Sequence, residues 1–495
     1  MLFLRVHCGA AQTKINRPQQ AAEFTKAKVL HYLSTRGQAP ELNFVDALLA
    51  GLARDGGLYV PATYPQISAA EIAGFAGQSY AHVAQNVIGR FTGDGFSQPD
   101  LGGMIKGAYK SFRHEAIAPL VQIDNNLFVL ELFHGPTLAF KDVAMQLLGR
   151  MMDAALKARG QRATIVGATS GDTGAAAIEA FRGLEQVDVF ILYPHGRVSD
   201  VQRRQMTTVD GDNIHTIALE GTFDDAQAIV KGLFNNHAFR DELALSGVNS
   251  INWARIVAQT VYYFTSAVAL GGPHRKVSFA VPTGNFGDIL AGYIAKRMGL
   301  PVERLMIGTN ANDILARTLE SGTYEVLGVH PTQSPSMDIQ ISSNFERLLF
   351  DAYGRDAGAI RGLMASLNRS RQFTIAPEPL AKIRSEFDAA RIDEAATAEE
   401  MRRTYRESGY LLDPHTAVGV GAARAALTKN PSVPMIVLGT AHPAKFPDAV
   451  KGATGVHPAL PEHLADLFAR KERFSVVAND QAKIETFIRE RARKA

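Results

Sequence analysis

From residue 127 onward, short apolar runs alternate with stretches whose apolar positions recur at helical spacing. The runs at 127–132, 164–168, 187–192, 214–219, 277–281, 304–308 and 435–438 read as strands, because largely apolar stretches of this length suit strands buried on both faces. The segments 143–156, 174–181, 253–270, 288–297 and 417–428 read as helices. Strands that alternate with helices predict mostly parallel sheets covered by helices. Before this region, residues 41–110 mix short helical patterns with breaks such as Asp55-Gly56-Gly57 and Val60-Pro61, which predicts a mainly helical unit. Residues 354–410 carry many charges and no convincing strand pattern, so they are expected to be helices added to one domain.

A chain of 495 residues is too long for one simple core. The expected division is an extension at 1–28, a mainly helical domain at 29–115, an α/β domain at 116–272 and a second α/β domain at 273–495. The second domain would carry the 354–410 insertion and C-terminal helices. Hydrophobic residues make up 46% and charged residues 20%, the balance of a globular protein, and the formal net charge of +3 is nearly neutral. The basic tail at 489–494 includes Glu490 and reads as a solvated helix end, so no nucleic-acid partner is expected. No stretch approaches the ~18 consecutive apolar residues of a membrane helix. Cys8 is the one cysteine, which excludes an intramolecular disulfide and fits a cytoplasmic location.

Three junctions between predicted strands and helices carry unusual residues, and ligands of open α/β sheets bind at the carboxyl ends of strands. The first runs from His134 to Asp142 and includes Phe140-Lys141-Asp142. A lysine at a helix start is disfavoured by the helix dipole, but not when its amine forms a neutral imine with an aldehyde, chemistry to which lysine is suited. The second is Ala168-Thr169-Ser170-Gly171-Asp172-Thr173-Gly174, where glycines and small hydroxyl residues bring backbone N–H groups close to an anion. The third is Pro282-Thr283-Gly284-Asn285-Phe286-Gly287-Asp288, another anion cradle that is neither a Walker loop nor a Rossmann fingerprint. Each taken alone has a plainer reading, as a surface lysine or a capped turn. Together, one lysine and two anion cradles are what a pyridoxal-phosphate (PLP) enzyme needs, with one cradle for the cofactor phosphate and one for a substrate carboxylate.

In that order, these three segments resemble the fold-type II PLP enzymes. Tyr32-Leu33-Ser34-Thr35-Arg36-Gly37, Asn249-Ser250-Ile251-Asn252-Trp253-Ala254-Arg255, Ser334-Pro335-Ser336-Met337-Asp338, Asn344-Phe345-Glu346-Arg347, Asp413-Pro414-His415-Thr416 and Gly439-Thr440-Ala441-His442-Pro443-Ala444-Lys445-Phe446 narrow the resemblance to the long form of the threonine synthase family, over nearly the whole chain from about His31 to about Val450. The resemblance implies an α/β fold of two parallel-sheet domains with the cofactor in the cleft between them. It implies Lys141 as the Schiff-base lysine and proton shuttle, and Gly284, Asn285, Phe286 and Gly287, with Asp288 after them, around the cofactor phosphate. Thr440 would meet the pyridine nitrogen. Thr169, Ser170, Gly171, Asp172 and Thr173 would face the substrate carboxylate and the ring hydroxyl. Arg255, with Asn249 before it, would meet the substrate's phosphate, and Lys445 is a helper on grounds of charge. His134, His415 and His442 read equally well as packed core histidines.

The implied reaction converts O-phospho-L-homoserine and water to L-threonine and phosphate, a lyase reaction in a chain expected to act as a monomer or homodimer without a metal. The alternatives are a phospho-lyase that ends at 2-oxobutyrate and a PLP-binding protein without turnover; retention of Lys141 beside both cradles argues against the latter. Because the family-like text begins near His31 and the first acid is Glu23, deletion of residues 1–28 is expected to leave the melting temperature and activity nearly intact. A large drop in either would show that the extension packs onto the enzyme.

Overall fold

The computed structural model describes residues 30–169 and 171–493, so the 1–28 extension and Ser170 lie outside the described residues. Two sheets organise the chain. The larger runs, edge to edge, through Phe387–Arg391, Val302–Thr309, Val277–Pro282, Met435–Gly439, Leu127–Glu131 and Leu120–Asp124. All its neighbours are parallel except the last pair. The smaller runs through Ser475–Ala478, Ile214–Glu220, Val187–Pro194, Ala163–Ala168 and Leu245–Ser246, and is parallel throughout. Its central strand Val187–Pro194 is buried along its whole length, as are Val277–Pro282 and Met435–Gly439 in the larger sheet. That is the burial expected of parallel strands covered on both faces, and it bears out the α/β reading.

The helix Trp253–Ala269 is buried along almost its whole length and packs against the helices Tyr80–Thr92, Lys141–Ala158 and Gly287–Arg297. It thereby joins the N-terminal region to the α/β body. That region is mainly helical, with Phe44–Ala50, Ala69–Ala73, Tyr80–Thr92 and Gln98–Tyr109 beside one short antiparallel pair, Tyr32–Ser34 with Tyr59–Pro61. Among the described residues no helix is long and apolar enough to cross a membrane.

Three features depart from the pattern reading. Leu120–Asp124 is a strand, paired antiparallel to Leu127–Glu131 across a turn in which Asn126 is left-handed (φ 55°). The Asp124-Asn125-Asn126 run is a turn signal, but the strand before it buries only Ile123 and shows little apolar pattern. Phe387–Arg391 lies inside 354–410 and is nevertheless a strand, held by a parallel ladder to Val302–Thr309. An edge strand needs little burial, and here only Phe387 is fully buried. Finally, the sheets do not follow the expected boundaries at 116, 272 and 273. Leu120–Asp124 and Leu127–Glu131 belong to the sheet otherwise built after residue 273, and Ser475–Ala478 completes the earlier one. Burial of both faces selects neighbours by apolar complementarity, not by order along the chain.

Two carboxyls are buried close to the strand ends. Asp142 accepts from the Thr137 amide (2.8 Å) and hydroxyl (2.7 Å). Asp288 accepts from the hydroxyls of Tyr262 and Tyr263, while its Oδ2 has no partner. Burial pushes each carboxyl up to about 7, against the pull of those hydrogen bonds. Between pH about 4 and about 7 the unfolded chain has released these protons while the native state keeps them, so stability falls as pH rises across that interval. Asp288→Asn keeps an acceptor for both tyrosines and is expected to remove roughly half of this fall, up to about 4 kcal/mol for a full shift of that size. Urea unfolding of the cofactor-free protein from pH 4 to pH 8 checks it; an unaltered slope would show that Asp288 is ionised in the native state.

Candidate active site

The loop that delivers Lys141 is folded by local sequence. Asp142 reaches back to Thr137, and Gly135 lies so close that an added Cβ would fall 2.5 Å from the Asp142 side chain. Leu138 takes the left-handed region (φ 60°). The loop is then stitched to the segment after the strand Met435–Gly439. The Phe140 amide donates to the Thr440 carbonyl (2.8 Å) and the His442 amide to the Leu138 carbonyl (3.0 Å). Lys141 is the first residue of Lys141–Ala158, two residues earlier than the pattern placed the start, and the helix has no side-chain cap.

The Lys141 amine is buried, 3.3 Å from Asp172 Oδ2 and 3.4 Å from Ser336 Oγ. Burial lowers its pKa, Asp172 opposes that shift, and the charges of Lys445 and Arg255 add to it. An amine with lowered proton affinity is the form that attacks an aldehyde or accepts a carbon-bound proton.

Asp172 opens the helix Asp172–Phe181 from a turn built by Thr169, whose hydroxyl accepts from the amides of Gly171 (2.9 Å) and Gly174 (3.0 Å). Gly171 has a positive φ of 143°, and an added Cβ would fall 2.5 Å from Gln202. Gln202 Nε2 donates to Asp172 Oδ1 (2.9 Å), and Lys445 Nζ lies 3.2 Å from the same oxygen. Burial would raise the Asp172 pKa, but Lys445 and Lys141 outweigh it and hold the carboxyl far below its usual range. Lys445 is fully buried and donates also to the Thr137 carbonyl (2.7 Å) and Gln205 Oε1 (2.6 Å). Gln202 and Gln205, on the helix Asp200–Thr207, were not anticipated. Two glutamines three positions apart on one buried helix face were the available signal.

Ser336 completes the surroundings of Lys141. Its amide donates to His415 Nε2 (3.2 Å), which leaves Nδ1 of that ring to donate to Asp413 (2.9 Å). His415 is thus a satisfied core histidine. His134 pairs with Glu131 (2.7 Å), and His442 caps a short turn, with burial lowering its pKa to about 4.

At the third junction an added Cβ on Gly284 would fall 2.9 Å from the Ser336 carbonyl, and Phe286 is left-handed (φ 61°) before Gly287 opens an uncapped helix. The bare amides at this helix start suit an anion. Asp288 turns its carboxyl away, onto Tyr262 and Tyr263. Thr440 is buried; its amide donates to Thr416 Oγ1 (3.2 Å), and its hydroxyl has no hydrogen bond among the described residues. Arg255 is buried, and among the described residues its one side-chain hydrogen bond is from Nη1 to the Val248 carbonyl (3.1 Å). Its Nε has no partner, and no ion pair to it exists among the described residues. Burial pushes its pKa down to about 10. Of the remaining candidates, Thr173 is half-buried and Asn249 is exposed. Neither side chain makes a hydrogen bond among the described residues.

The structure therefore brings Lys141, Asp172 and Lys445 into direct contact and sets Arg255 close enough to influence Lys141. It gives Thr169 and Gly171 a turn-building part, and it leaves Asn249 at the surface. These residues fit a phosphorylated aldehyde cofactor: a buried amine, and a cradle in which Gly284 admits no Cβ and the helix start at Gly287 has bare amides; Arg255 adds a buried cation without a counter-ion among the described residues.

Comparison with known proteins agrees with the geometry. Residues 31–109 match the family described as threonine synthase N terminus, residues 112–365 that of pyridoxal-phosphate dependent enzymes, and residues 416–488 that of threonine synthase, C-terminal. Threonine synthase of Pseudomonas aeruginosa is 54% identical over 460 residues, covering 93% of this chain and 98% of that protein. The crystal structure of PLP-bound threonine synthase from Brucella melitensis superposes with a TM-score of 0.92 at 61% identity, covering 94% of this chain and 100% of the other. Threonine synthase from yeast superposes with a TM-score of 0.89 at 41% identity, covering 94% and 99%. With matches of this extent over an active-site arrangement that fits the cofactor, the chain belongs to the threonine synthase family of pyridoxal-phosphate-dependent enzymes.

Proposed function

We propose that this chain converts O-phospho-L-homoserine and water to L-threonine and phosphate, as a carbon–oxygen lyase acting on a phosphate. The observation that carries the substrate assignment is Arg255. A buried guanidinium without a counter-ion is costly, and its planar fork can hold two oxygens of a phosphate dianion at once. Pyridoxal phosphate supplies an electron sink for the carbanion chemistry. The protein supplies the rest.

Lys141 would hold the cofactor aldehyde, and its free amine would take the Cα proton and later return one. Desolvation lowers the proton affinity of that amine, and Asp172 and Ser336 fix its position. Gly284, Asn285, Phe286 and Gly287 offer backbone N–H groups to the cofactor phosphate. Thr440, a neutral hydroxyl, is assigned to the ring nitrogen. Gly171 and Thr173, with Ser170 between Thr169 and Gly171, are assigned to the substrate carboxylate. The bonds made by Lys445 support a positioning role, holding Asp172 and the Lys141 loop in place, more than direct contact with the substrate phosphate.

Arg255→Ala is expected to lower kcat/KM for O-phosphohomoserine roughly a hundredfold or more, with the visible absorption of the bound cofactor near normal. Arg255→Lys should recover only part of the loss, and slow turnover of unphosphorylated serine or threonine should change far less. Equal losses on both substrate types would mean that Arg255 serves the fold or the carboxylate. Chromatography of the products separates L-threonine from 2-oxobutyrate; the latter as main product would favour the phospho-lyase reading.

A further inference from the structure

Three segments singled out in the sequence, 249–255, 284–288 and 344–347, meet at the first turn of the helix Phe345–Ala352. Asn344 opens that turn and is fully buried. Its side-chain Nδ2 donates to the carbonyl of Ser250 (3.1 Å) and to that of Asn285 (3.0 Å), and its backbone amide donates to the same Asn285 carbonyl (3.1 Å). Its Oδ1 accepts from the guanidinium of Arg347. That bond fixes the orientation of the amide, because the oxygen is engaged by Arg347 and the nitrogen alone is left to face the two carbonyls.

Arg347 is itself buried, 1% exposed, and has no carboxylate partner among the described residues. It donates to the Ile251 carbonyl (2.7 Å) and the Tyr59 carbonyl (3.0 Å), and lies 5.4 Å from the Trp253 ring. The turn is fixed from other sides as well. Phe345 packs edge-on against Phe286 at 5.4 Å, and Glu346 accepts from the Thr35 hydroxyl (2.6 Å) and pairs with Arg36 (3.0 Å). An added Cβ on Gly287 would meet Asn344 Nδ2 at 3.5 Å and the Ser250 carbonyl at 3.8 Å, so the cradle, the loop and the amide converge on one spot.

We propose that Asn344, oriented by Arg347, is a positioning residue that couples the cofactor-phosphate cradle to the arginine that receives the substrate phosphate; the proposal rests on the assignment of Arg255 made above. Ser250 and Ile251 lead directly into the helix that carries Arg255, and Asn285 lies within the cradle. One amide bonds both, so a displacement of either loop strains the other. Two sites joined through one buried group share a coupling free energy, and perturbing that group shifts both affinities together.

Asn344→Asp isolates the effect. It preserves shape and the bond to Arg347 but replaces the donor with an oxygen facing two carbonyl oxygens. The Kd of the cofactor-free protein for pyridoxal phosphate, read from visible absorbance, is expected to rise roughly tenfold or more. With cofactor at saturation, KM for O-phosphohomoserine is expected to rise by a similar factor, with a smaller change in kcat. Combined with Arg255→Ala, the same change should add no further increase in KM while still weakening the cofactor. If Asn344→Asp does not fold, by circular dichroism and melting, Asn344→Ser retains one donor and should show the same two shifts at smaller size. A folded variant in which either Kd or KM stays at the wild-type value overturns the coupling, as do additive KM effects in the double variant. Failure of the Arg255 assignment would appear separately, as equal losses of kcat/KM on phosphorylated and unphosphorylated substrates in Arg255→Ala alone.

Discussion

Asp172 is a carboxylate buried between two ammonium groups, and the arrangement of the site depends on that burial. An isolated charge in such a place would cost several kcal/mol, which close opposite charges and hydrogen bonds offset. Lys141, Lys445 and Gln202 supply them. The partners come from different parts of the fold. Asp172 follows the strand Ala163–Ala168 of the smaller sheet, whereas Lys141 follows Leu127–Glu131 and Lys445 follows Met435–Gly439 in the larger one. The ion cluster therefore bridges the two sheets at their carboxyl ends, where a ligand of an open α/β sheet is expected to bind. It also holds a lysine in a low-dielectric place without neutralising it fully, because Lys445 and Arg255 work against Asp172.

The helix starts around this cluster differ from many elsewhere in the chain. Ser68, Ser79, Ser97, Ser199 and Thr222 each cap a helix with a side-chain oxygen. The helices opening at Lys141, Asp172 and Gly287 have no such cap. At the first two, the amides of Asp142 and Val143 donate to the carbonyls of Ala139 and Phe140 and that of Gly174 to the Thr169 hydroxyl; at Gly287 the first amides have no partner among the described residues, and glycine at 284 and 287 lets a ligand approach the backbone. At Gly287 a side-chain cap is thus absent where the proposed function places an anion, and tertiary packing of the helix into the core compensates for it.

Much of this site was legible in the residues. Lys141, the turn around Gly171 and the cradle around Gly284 stand at strand–helix junctions that apolar patterning locates, and the motif order resembles one family closely. What stayed hidden were contacts made by ordinary residue types from distant segments. Gln202 and Gln205 look like the polar positions of an amphipathic helix until Asp172 and Lys445 are placed beside them. Asn249 stands in a motif yet is exposed, and Thr169, which looked like a ligand, holds its own turn. Asp288 follows the cradle in sequence but turns its carboxyl toward tyrosines of another helix.

The sequence by itself determined the class of fold, the central strands and long helices, and the residue types gathered at the three junctions. These depend on periodicity, turn residues and short motifs, all encoded within a few positions of one another. Only the tertiary structure decided which strands share a sheet, because pairing depends on complementary surfaces separated by hundreds of residues. The strands Leu120–Asp124 and Ser475–Ala478 accordingly joined sheets that a linear division would not have given them. The same reason governs charge. Whether Arg255 is paired, whether Lys141 is desolvated, and which amide ties the cradle to the arginine loop are set by neighbours that come close only when the chain folds.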